Sequence, residues 1–215
     1  MSVLGPPGSG KGTQAELAGQ RFGIACFSTG DLLRKAVREE SALGGQVKAL
    51  LEAGSLVPDD LMGKVVEEKL RRLEPPGSMI LDGFPRTCPQ VEILDRILER
   101  LDRKLHLALA LEVPDPEILR RLSGRRVCRS CRATFHVEFQ VPRLAGKCDG
   151  CGKDLSIRKD DRESVIQNRL RIYRSETTPV LELYRERGLL KEVQADGAVG
   201  DVAKRFQKEI LQACA

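Results

Sequence analysis

The sequence contains no tryptophan, and aromatic residues make up only 4 % of it. Proteins that bind single-stranded nucleic acid stack bases on aromatic side chains, so such platforms are scarce here. No run of 18 apolar residues occurs, which argues against a membrane-spanning helix. A short strand and a glycine-rich loop follow Met1 directly, which leaves no room for a signal peptide. We therefore expect a cytoplasmic protein that binds neither a membrane nor nucleic acid.

The charge is high but nearly balanced. Charged residues make up 31 % of the 215 residues and the hydrophobic class 41 %, which is typical of a soluble globular protein. The net charge of +5 suits polyanionic substrates but is too small to indicate nucleic-acid binding. The length allows one large α/β domain with insertions, and the strongly charged surface favours a monomer.

Residues 5–13, with the sequence GPPGSGKGT, predict a phosphate-binding loop. Glycines let backbone amides turn toward an anion, and the helix that follows adds the positive end of its dipole. Lys11 would contact the β- and γ-phosphates, and the Thr13 hydroxyl would face Mg²⁺. Gly12 stands where the usual motif has a hydroxyl residue, and Thr13 comes one position later. The alternative is a flexible glycine-rich turn without a ligand.

Asp82 ends an apolar stretch that begins at Ser78 and reads as a buried strand. An aspartate at the carboxyl end of a strand beside a phosphate loop can hold the hydration shell of Mg²⁺. Apolar runs that end in aspartate are common, so this signal gains its value from the glycine loop.

Strands and helices alternate along most of the chain, which predicts a parallel, doubly wound sheet with ligands at the carboxyl ends of its strands. Two stretches break the alternation. Residues 28–57 read as a small helical insertion, and residues 124–161 are rich in turns and cysteine. A long helix is expected over residues 162–187, bent near Pro179.

Four cysteines in two Cys-x-x-Cys pairs lie in the second insertion: Cys128, Cys131, Cys148 and Cys151. This pattern predicts a structural zinc site, because four thiolates complete a tetrahedral shell and leave no position for water. The alternatives are a redox pair, unrelated thiols, or iron in the same shell. His136 is then a bland residue of the lid. The other cysteines are expected to be free thiols, with Cys26 buried in a strand: Cys26, Cys88 and Cys214.

Five motifs together resemble the adenylate kinase family, in the same order and over essentially the whole chain. They begin at residues 5 (GPPGSGKGTQ), 28 (STGDLLR), 81 (LDGFPRT), 124 (GRR) and 158 (RKDD). The cysteine insertion is similar to the lid of the long, zinc-binding bacterial members. The resemblance implies a P-loop nucleoside-monophosphate kinase fold, with a five-stranded parallel sheet flanked by helices. It also implies a core of residues 1–27, 58–123 and 162–215, a nucleoside-monophosphate-binding insertion of residues 28–57, and a zinc-ribbon lid of residues 124–161.

The reaction implied by the resemblance is reversible, Mg²⁺-dependent phosphoryl transfer from ATP to AMP, which gives two ADP and balances the adenine nucleotides. Such a transfer needs in-line positioning and positive charge rather than covalent chemistry by the protein. Guanidinium forks suit this role better than ammonium groups. The resemblance assigns catalytic roles to one lysine and five arginines: Lys11, Arg86, Arg121, Arg125, Arg158 and Arg169.

The resemblance also divides the binding residues between the two nucleotides. On the ATP side it implies Gly8, Ser9, Gly10, Lys11, Gly12, Thr13, Arg121, Arg125, Thr134, Phe135 and the backbone carbonyl of Val199. On the AMP side it implies Thr29, Arg34, Ser55, Leu56, Val57, Gly83, Phe84, Pro85, Arg86, Gln90, Arg158 and Arg169. The magnesium shell would include Thr13 and Asp82.

Several interpretations stay open. Asp160 and Asp161 either position Arg158 or other lid contacts, or cap the helix that follows. The remaining arginines of this region are expected on solvated faces: Arg120, Arg126, Arg129, Arg132 and Arg171. Rival functions are a kinase for UMP or CMP, and a nucleotide switch or zinc-ribbon nucleic-acid binder without catalysis.

Overall fold

A computed structural model describes residues 1–73, 77–131 and 133–213 of the chain, so Arg132 and Cys214 lie outside the described residues. The strands are β1 (Ser2–Leu4), β2 (Ala25–Ser28), β3 (Met79–Asp82), β4 (Ala108–Glu112), β5 (Arg125–Cys128), β6 (Thr134–His136), β7 (Leu155–Ser156) and β8 (Leu190–Gln194). The helices are α1 (Lys11–Phe22), α2 (Thr29–Arg38), α3 (Ala42–Ala53), α4 (Asp59–Arg71), α5 (Cys88–Arg100), α6 (Asp115–Gly124), α7 (Glu163–Ile172), α8 (Thr178–Glu186) and α9 (Val199–Ala213).

Five strands form one parallel sheet in the order β2-β3-β1-β4-β8. This confirms the predicted α/β fold with its five-stranded parallel sheet flanked by helices. β1 is central, so its carboxyl end and that of β3 lie side by side, with Val3 paired to Asp82. Ligands of such sheets bind at this edge, where the phosphate loop and Asp82 meet.

The sheet is covered on both faces, because successive side chains of a strand point to opposite sides. Val3 and Leu109 pack with α1 and α9 in one apolar cluster. Leu4 and Ala108, their neighbours in sequence, pack with Val180 and other residues in a cluster on the opposite face. Burial on both faces explains why these strands are short continuous apolar runs.

The strand at residues 24–27 was expected to be buried, and this prediction was wrong. β2 is the edge strand of the sheet, and both Ala25 and Cys26 are exposed, whereas Phe27 is buried. Strand order depends on contacts between distant segments, so an apolar tetrapeptide does not distinguish an edge strand from a central one.

Capping residues that are evident in the sequence begin and end several helices. The Ser41 side chain accepts a hydrogen bond from the amide of Gly44 at the start of α3. Gly23 and Gly54, both with positive φ, end α1 and α3. The predicted helix at residues 162–187 is instead two helices, because a π-helical turn, Tyr173–Thr177, separates α7 from α8.

The cysteine-bearing insertion forms a separate antiparallel sheet in the order β6-β5-β7. Its apolar cluster is small and consists of Cys128, Phe135 and Cys148 with two partly buried neighbours. Among the described residues, no helix is both long enough and apolar enough to cross a membrane.

Candidate active site

The phosphate loop joins β1 to α1 at the carboxyl edge of the sheet. Gly8 and Gly10 have φ values of 80° and 91°, which side-chain-bearing residues rarely adopt. The Lys11 ammonium lies over the loop and donates to the carbonyls of Gly5 at 2.6 Å and Pro6 at 2.7 Å. The predicted loop therefore has the shape of an anion nest with its lysine folded across it.

The environment of Lys11 disfavours its charged form. Burial lowers the pKa of the ammonium from 10.5 to about 7; Asp82 opposes this change, and Arg86, Arg169 and Arg125 add to it. Three arginines close enough to act on the lysine show that the site gathers positive charge. A multiply charged anion would relieve both the desolvation and the repulsion.

Asp82 lies beside the phosphate loop at the end of β3, as predicted. Its carboxylate is mostly buried and forms no hydrogen bond or ion pair with any of the residues the structure describes. A Cβ atom on Gly12 would lie 3.3 Å from Asp82 Oδ2, so a side chain at position 12 would crowd this carboxylate. The close approach gives a physical reason for glycine where the usual motif has serine or threonine.

Five arginines from separate segments surround this nest. Arg34 comes from α2, Arg86 from the loop after β3, Arg125 from β5, and Arg158 and Arg169 from either side of residue 161. Their charges act on one another: Arg125 and Arg34 on Arg158, Arg34 on Arg86, and Arg125 and Arg86 on Arg169. The structure thus brings together five of the six predicted arginines with Lys11. Arg121 is engaged with Glu117 and with the carbonyl of Ala195, both at 2.8 Å.

Two neighbouring carboxylates hold part of this cationic cluster. Asp161, whose side chain is fully buried, forms a bidentate ion pair with Arg125 and lies 3.3 Å from Arg169 Nη1. Asp160 Oδ2 lies 3.3 Å from Arg169 and 3.7 Å from Arg34. Burial would raise the pKa of Asp160, but four arginines together outweigh it and lower that pKa: Arg169, Arg34, Arg125 and Arg158.

These contacts favour positioning over capping: the two aspartates form ion pairs with Arg34, Arg125 and Arg169, and Asp160 attracts Arg158 without a hydrogen bond. They do not cap α7, which begins after Arg162 without a side-chain cap. The sequence motif placed Asp160 and Asp161 at the end of the lid but did not identify the arginines that they bind. Only the fold shows that Arg34 from one insertion and Arg125 from the other share this acidic pair.

Arg158 differs from its neighbours because its guanidinium forms no ion pair or hydrogen bond with any described residue, although its backbone carbonyl accepts from the amide of Asp161 at 3.1 Å. Burial, followed by repulsion from Arg125 and Arg34, lowers the pKa of its guanidinium to about 9. The group remains a cation at neutral pH, so it is a partly buried positive charge that the nearby carboxylates of Asp31 and Asp160 offset only in part. Such a group is costly in the folded protein and marks a place where an anion would bind.

The predicted AMP residues other than the arginines lie at the start of α2, after α3, after β3 and in the first turn of α5. The Thr29 hydroxyl donates to the carbonyls of Asp82 and Gly83 at 3.2 and 3.1 Å. Gln90 is buried, accepts from the amide of Arg86 at 2.8 Å and donates to Asp59 at 2.7 Å. Leu56 and Val57 line a groove that Thr87 and Ile172 also line. The remaining predicted residues lie in the loops that follow α3 and β3: Ser55, Phe84 and Pro85.

The predicted ATP-base residues are less uniform. Val199 is half exposed at the start of α9, and its carbonyl accepts from Gln14 Nε2 at 3.2 Å. Thr134 is exposed, whereas the Phe135 side chain is buried in the apolar cluster of the lid. Any nucleotide contact by Phe135 would therefore use its backbone. Gln14 was missed by sequence reasoning; it is buried, and its Oε1 atom has no partner among the described residues.

Among the arginines predicted on solvated faces, Arg120, Arg129 and Arg171 are exposed. The His136 side chain forms hydrogen bonds that connect the lid to α6, so it is not a surface residue without a role. Its Nδ1 accepts from the amides of Glu138 and Phe139 at 3.0 and 3.2 Å, which leaves the ring proton on Nε2 facing the carbonyl of Arg120 at 3.4 Å.

The four lid cysteines meet as the zinc hypothesis requires. Their sulfur atoms all lie within 4.8 Å of one another, with Cys128 to Cys151 at 3.4 Å and Cys131 to Cys148 at 3.3 Å. Four thiolates at about 2.3 Å from a central zinc ion would be separated by similar distances. Backbone amides of Cys131 and Ser130 lower the pKa of the Cys128 thiol to about 6, whereas the neighbouring thiols raise that of Cys131 to about 12, so without a cation the four sulfur atoms do not all favour the thiolate form. The donor set therefore fits a closed tetrahedral metal site.

Replacing Cys128 by Ser should lower the melting temperature by about 5 °C or more, because the small lid core depends on the metal for folding energy. Bound zinc should fall from about one per chain toward zero in the same sample. Cys88→Ser is the matched control, since Cys88 lies outside the cluster, and it should retain both zinc and stability. A Cys128→Ser protein with an unchanged melting temperature and lost activity would argue for a catalytic metal.

Comparisons with known proteins agree with this geometry. The family model described as adenylate kinase matches residues 3–189. An adenylate kinase of Moorella thermoacetica is 45 % identical over 199 residues, which cover 93 % of this chain and 92 % of that protein. The adenylate kinase of Methanothrix thermoacetophila is 42 % identical over 206 residues, which cover 96 % of this chain and 95 % of that protein. That of Caldicellulosiruptor bescii is 42 % identical over 210 residues, which cover 98 % of this chain and 98 % of that protein. The chain therefore belongs to the adenylate kinase family, enzymes of nucleoside-monophosphate phosphoryl transfer.

Proposed function

We propose that this chain transfers a phosphoryl group reversibly from ATP to AMP and so forms two molecules of ADP. The observation that carries the proposal is the convergence of Lys11 and five arginines from separate segments on one phosphate loop. Family membership supports the same reaction. The two nucleotides would lie end to end, with their phosphates inside the cationic cluster and their bases at opposite ends.

On the ATP side, the amides of residues 8–13 would hold the phosphates, and Lys11 would leave the carbonyls of Gly5 and Pro6 to bind them. Arg125 is already fixed by Asp161, so little conformational freedom is lost when it contacts a phosphate. Arg121 and the carbonyl of Val199 would mark the far end of this nucleotide, with Thr134 and the backbone of Phe135 from the lid.

On the AMP side, Arg34 and Arg86 would bind the phosphate, while Thr29, Gln90 and the 55–57 backbone surround the base. Arg158 and Arg169 would close over the phosphoryl group in transit. Charge spreads over the oxygens of that group in the transition state, and fixed guanidinium groups stabilise it without further rearrangement. The guanidinium of Arg158, which has no hydrogen-bond partner among the described residues, is best placed to bind these oxygens.

Two metal ions complete the proposal. Mg²⁺ would enter with ATP and neutralise phosphate charge, and the carboxylate of Asp82 with the hydroxyl of Thr13 suits its hydration shell. Zn²⁺ at Cys128, Cys131, Cys148 and Cys151 would be structural, because no ligand position would remain open to water. Iron would satisfy the same thiolates, and metal analysis distinguishes the two.

We propose that residues 28–57 and 124–161 close over the core of residues 1–27, 58–123 and 162–215 when nucleotides bind. Closure would exclude water, which otherwise accepts the phosphoryl group. Contacts between the two insertions support this: Lys159 of the lid pairs with Glu52 at 2.9 Å, and Asp160 lies near Arg34. The protein would act as a cytoplasmic monomer, without membrane or nucleic-acid partners.

Binding of MgATP should be accompanied by proton uptake near pH 7 to 8. The pKa of Lys11 is lowered to about 7 in the free protein, so part of the population is neutral, and bound phosphate raises that pKa again. Titration calorimetry in two buffers of different ionisation enthalpy measures the uptake. The buffer dependence should grow from pH 7 to 8 and disappear in Lys11→Met; an equal heat in both buffers would contradict this environment for Lys11.

A coupled assay with four nucleoside monophosphates and two triphosphates tests the proposed reaction. We expect ATP and AMP to give the highest kcat/KM, with UMP and CMP at least about 100-fold lower, because a base site built for hydrogen bonds rejects a base that leaves them unmet. Preference for UMP or CMP would favour the rival kinase. Retention of labelled DNA on filters at moderate salt, without any kinase activity, would favour the nucleic-acid binder.

A further inference from the structure

A widened turn interrupts the helix that follows the lid. Tyr173–Thr177 is π-helical, and the amide of Thr178 donates to the carbonyl of Tyr173, five residues earlier. Pro179 gives the reason, because it has no amide hydrogen and its ring excludes the carbonyl four residues before it. π-turns of this kind are frequent at functional sites, and the sequence motifs assigned no role to these residues.

The turn directs one side chain into the protein. Thr177 is 4 % exposed, whereas the three preceding residues are exposed. Its hydroxyl donates to the backbone carbonyl of Arg86 at 2.9 Å, across 91 residues of sequence. This hydrogen bond connects the interrupted helix to the loop that carries an arginine of the cationic cluster.

Two further hydrogen bonds hold the backbone and the side chain of Arg86. Its amide donates to Gln90 Oε1 at 2.8 Å, and its Nε donates to the carbonyl of Gly83 at 2.8 Å. Gln90 is itself fixed by Asp59 at 2.7 Å. The two terminal nitrogens of the guanidinium alone have no hydrogen-bond partner among the residues that the structure describes. The arginine is thus locked from its backbone to Nε, with its fork left open.

We propose that Thr177 is a positioning residue for Arg86: its hydroxyl fixes the Arg86 carbonyl and so aims the open fork of the guanidinium at the phosphate of the acceptor nucleotide. This rests on the proposed role of Arg86 at AMP. Two parallel hydrogen bonds to a phosphate require an orientation that a freely rotating arginine reaches only at an entropic cost. Gln90 and Thr177 fix the two ends of the same residue, and either alone leaves one peptide plane free.

Kinetics of three variants test the proposal. Thr177→Val keeps the shape but removes the hydroxyl, and kcat/KM for AMP should fall by about 10- to 100-fold, because small displacements of a positioning group have effects of this size. The KM for ATP should stay within about twofold of its original value. Thr177→Ser should restore most of the loss. Thr178→Val is the matched control, since among the described residues the Thr178 hydroxyl forms a hydrogen bond only with the carbonyl of Tyr173, and it should behave like the wild type.

A double-mutant cycle with Arg86→Lys separates positioning from stability. A lysine cannot form the bidentate contact, so Thr177→Val should reduce kcat/KM for AMP by less than about twofold in that background. An equal further loss in the Arg86→Lys background would overturn the proposal. So would a Thr177→Val enzyme with kcat/KM for AMP within twofold of wild type, or one in which both substrates and the melting temperature are affected in proportion.

The position of Arg86 is also measurable without turnover. The Nε–H resonance of Arg86 in a nitrogen-15 NMR spectrum should shift in Thr177→Val, return to its wild-type position in Thr177→Ser, and stay unchanged in Thr178→Val. If the wild-type protein forms no ADP from AMP, the proposed function fails, and this resonance still decides whether Thr177 positions Arg86. An unchanged resonance in Thr177→Val would overturn the inference whatever the activity.

Discussion

Replacing Lys11 by Met should lower kcat by about three orders of magnitude while the protein remains folded. A fixed cation at a developing negative charge contributes this much in enzymes that transfer acyl or phosphoryl groups. The variant should melt at or slightly above the wild-type temperature, because the buried ammonium, with its pKa lowered to about 7, is disfavoured in the native state.

Steady-state kinetics and a thermal melt on the same preparation check both parts of this prediction. Lys204→Met is the matched control, because the Lys204 side chain is 83 % exposed on α9, and it should change neither quantity. A purified, folded Lys11→Met protein with a turnover near that of the wild type would remove Lys11 from the mechanism.

Arg158→Met should lower kcat by about 10²- to 10⁴-fold and raise the melting temperature by a few degrees. Arginines that stabilise a transferring phosphoryl group have effects of this order or larger. The stability gain follows from the sign of the pKa shift. The pKa of Arg158 is lowered to about 9 by burial and by repulsion from Arg125 and Arg34, so its charge opposes folding at every pH below 9.

The gain should therefore be present at pH 7 and at every lower pH at which the protein stays folded, because Arg158 is charged in both the folded and the unfolded state there. Arg129→Met serves as the control, because the side chain of this lid arginine forms a hydrogen bond with the Ser156 hydroxyl alone among the residues that the structure describes. It should keep its activity and its melting temperature. Loss of stability in Arg158→Met would mean that an anionic partner already neutralises this arginine.

This opposition between activity and stability is what a preassembled electrostatic site predicts. Like charges held together without counter-ions destabilise the free protein and stabilise the bound phosphates. Asp160 and Asp161 limit the repulsion by binding Arg125, Arg169 and Arg34. Asp31 and Asp160 offset the charge of Arg158 only in part, and its pKa stays lowered.

Features encoded in short segments were predictable from the sequence. The phosphate loop, the caps at Ser41 and Gly54, and the zinc-ligand spacing each depend on neighbouring residues and elementary backbone chemistry. Family resemblance extended this to six arginines, five of which the fold brings to one place. The apolar stretch that begins at Ser78 likewise predicted that Asp82 ends a strand beside the phosphate loop.

Features that depend on how distant segments meet were not predictable. The exposure of Cys26 follows from the position of β2 at the edge of the sheet. Pro179 indicated a bend, but only the structure shows a π-turn that brings Thr177 to Arg86. The partners of Asp160 and Asp161 likewise come from three different segments of the chain.

The most direct test of the central claim is a crystal structure of the protein with two adenosines joined by a chain of phosphates. We expect Lys11 Nζ and the guanidinium groups of Arg34, Arg86, Arg125, Arg158 and Arg169 within hydrogen-bonding distance of phosphate oxygens, with the lid closed over them. Phosphates bound elsewhere, or guanidinium groups that stay on Asp160 and Asp161 while the ligand is held by the bases alone, would contradict it.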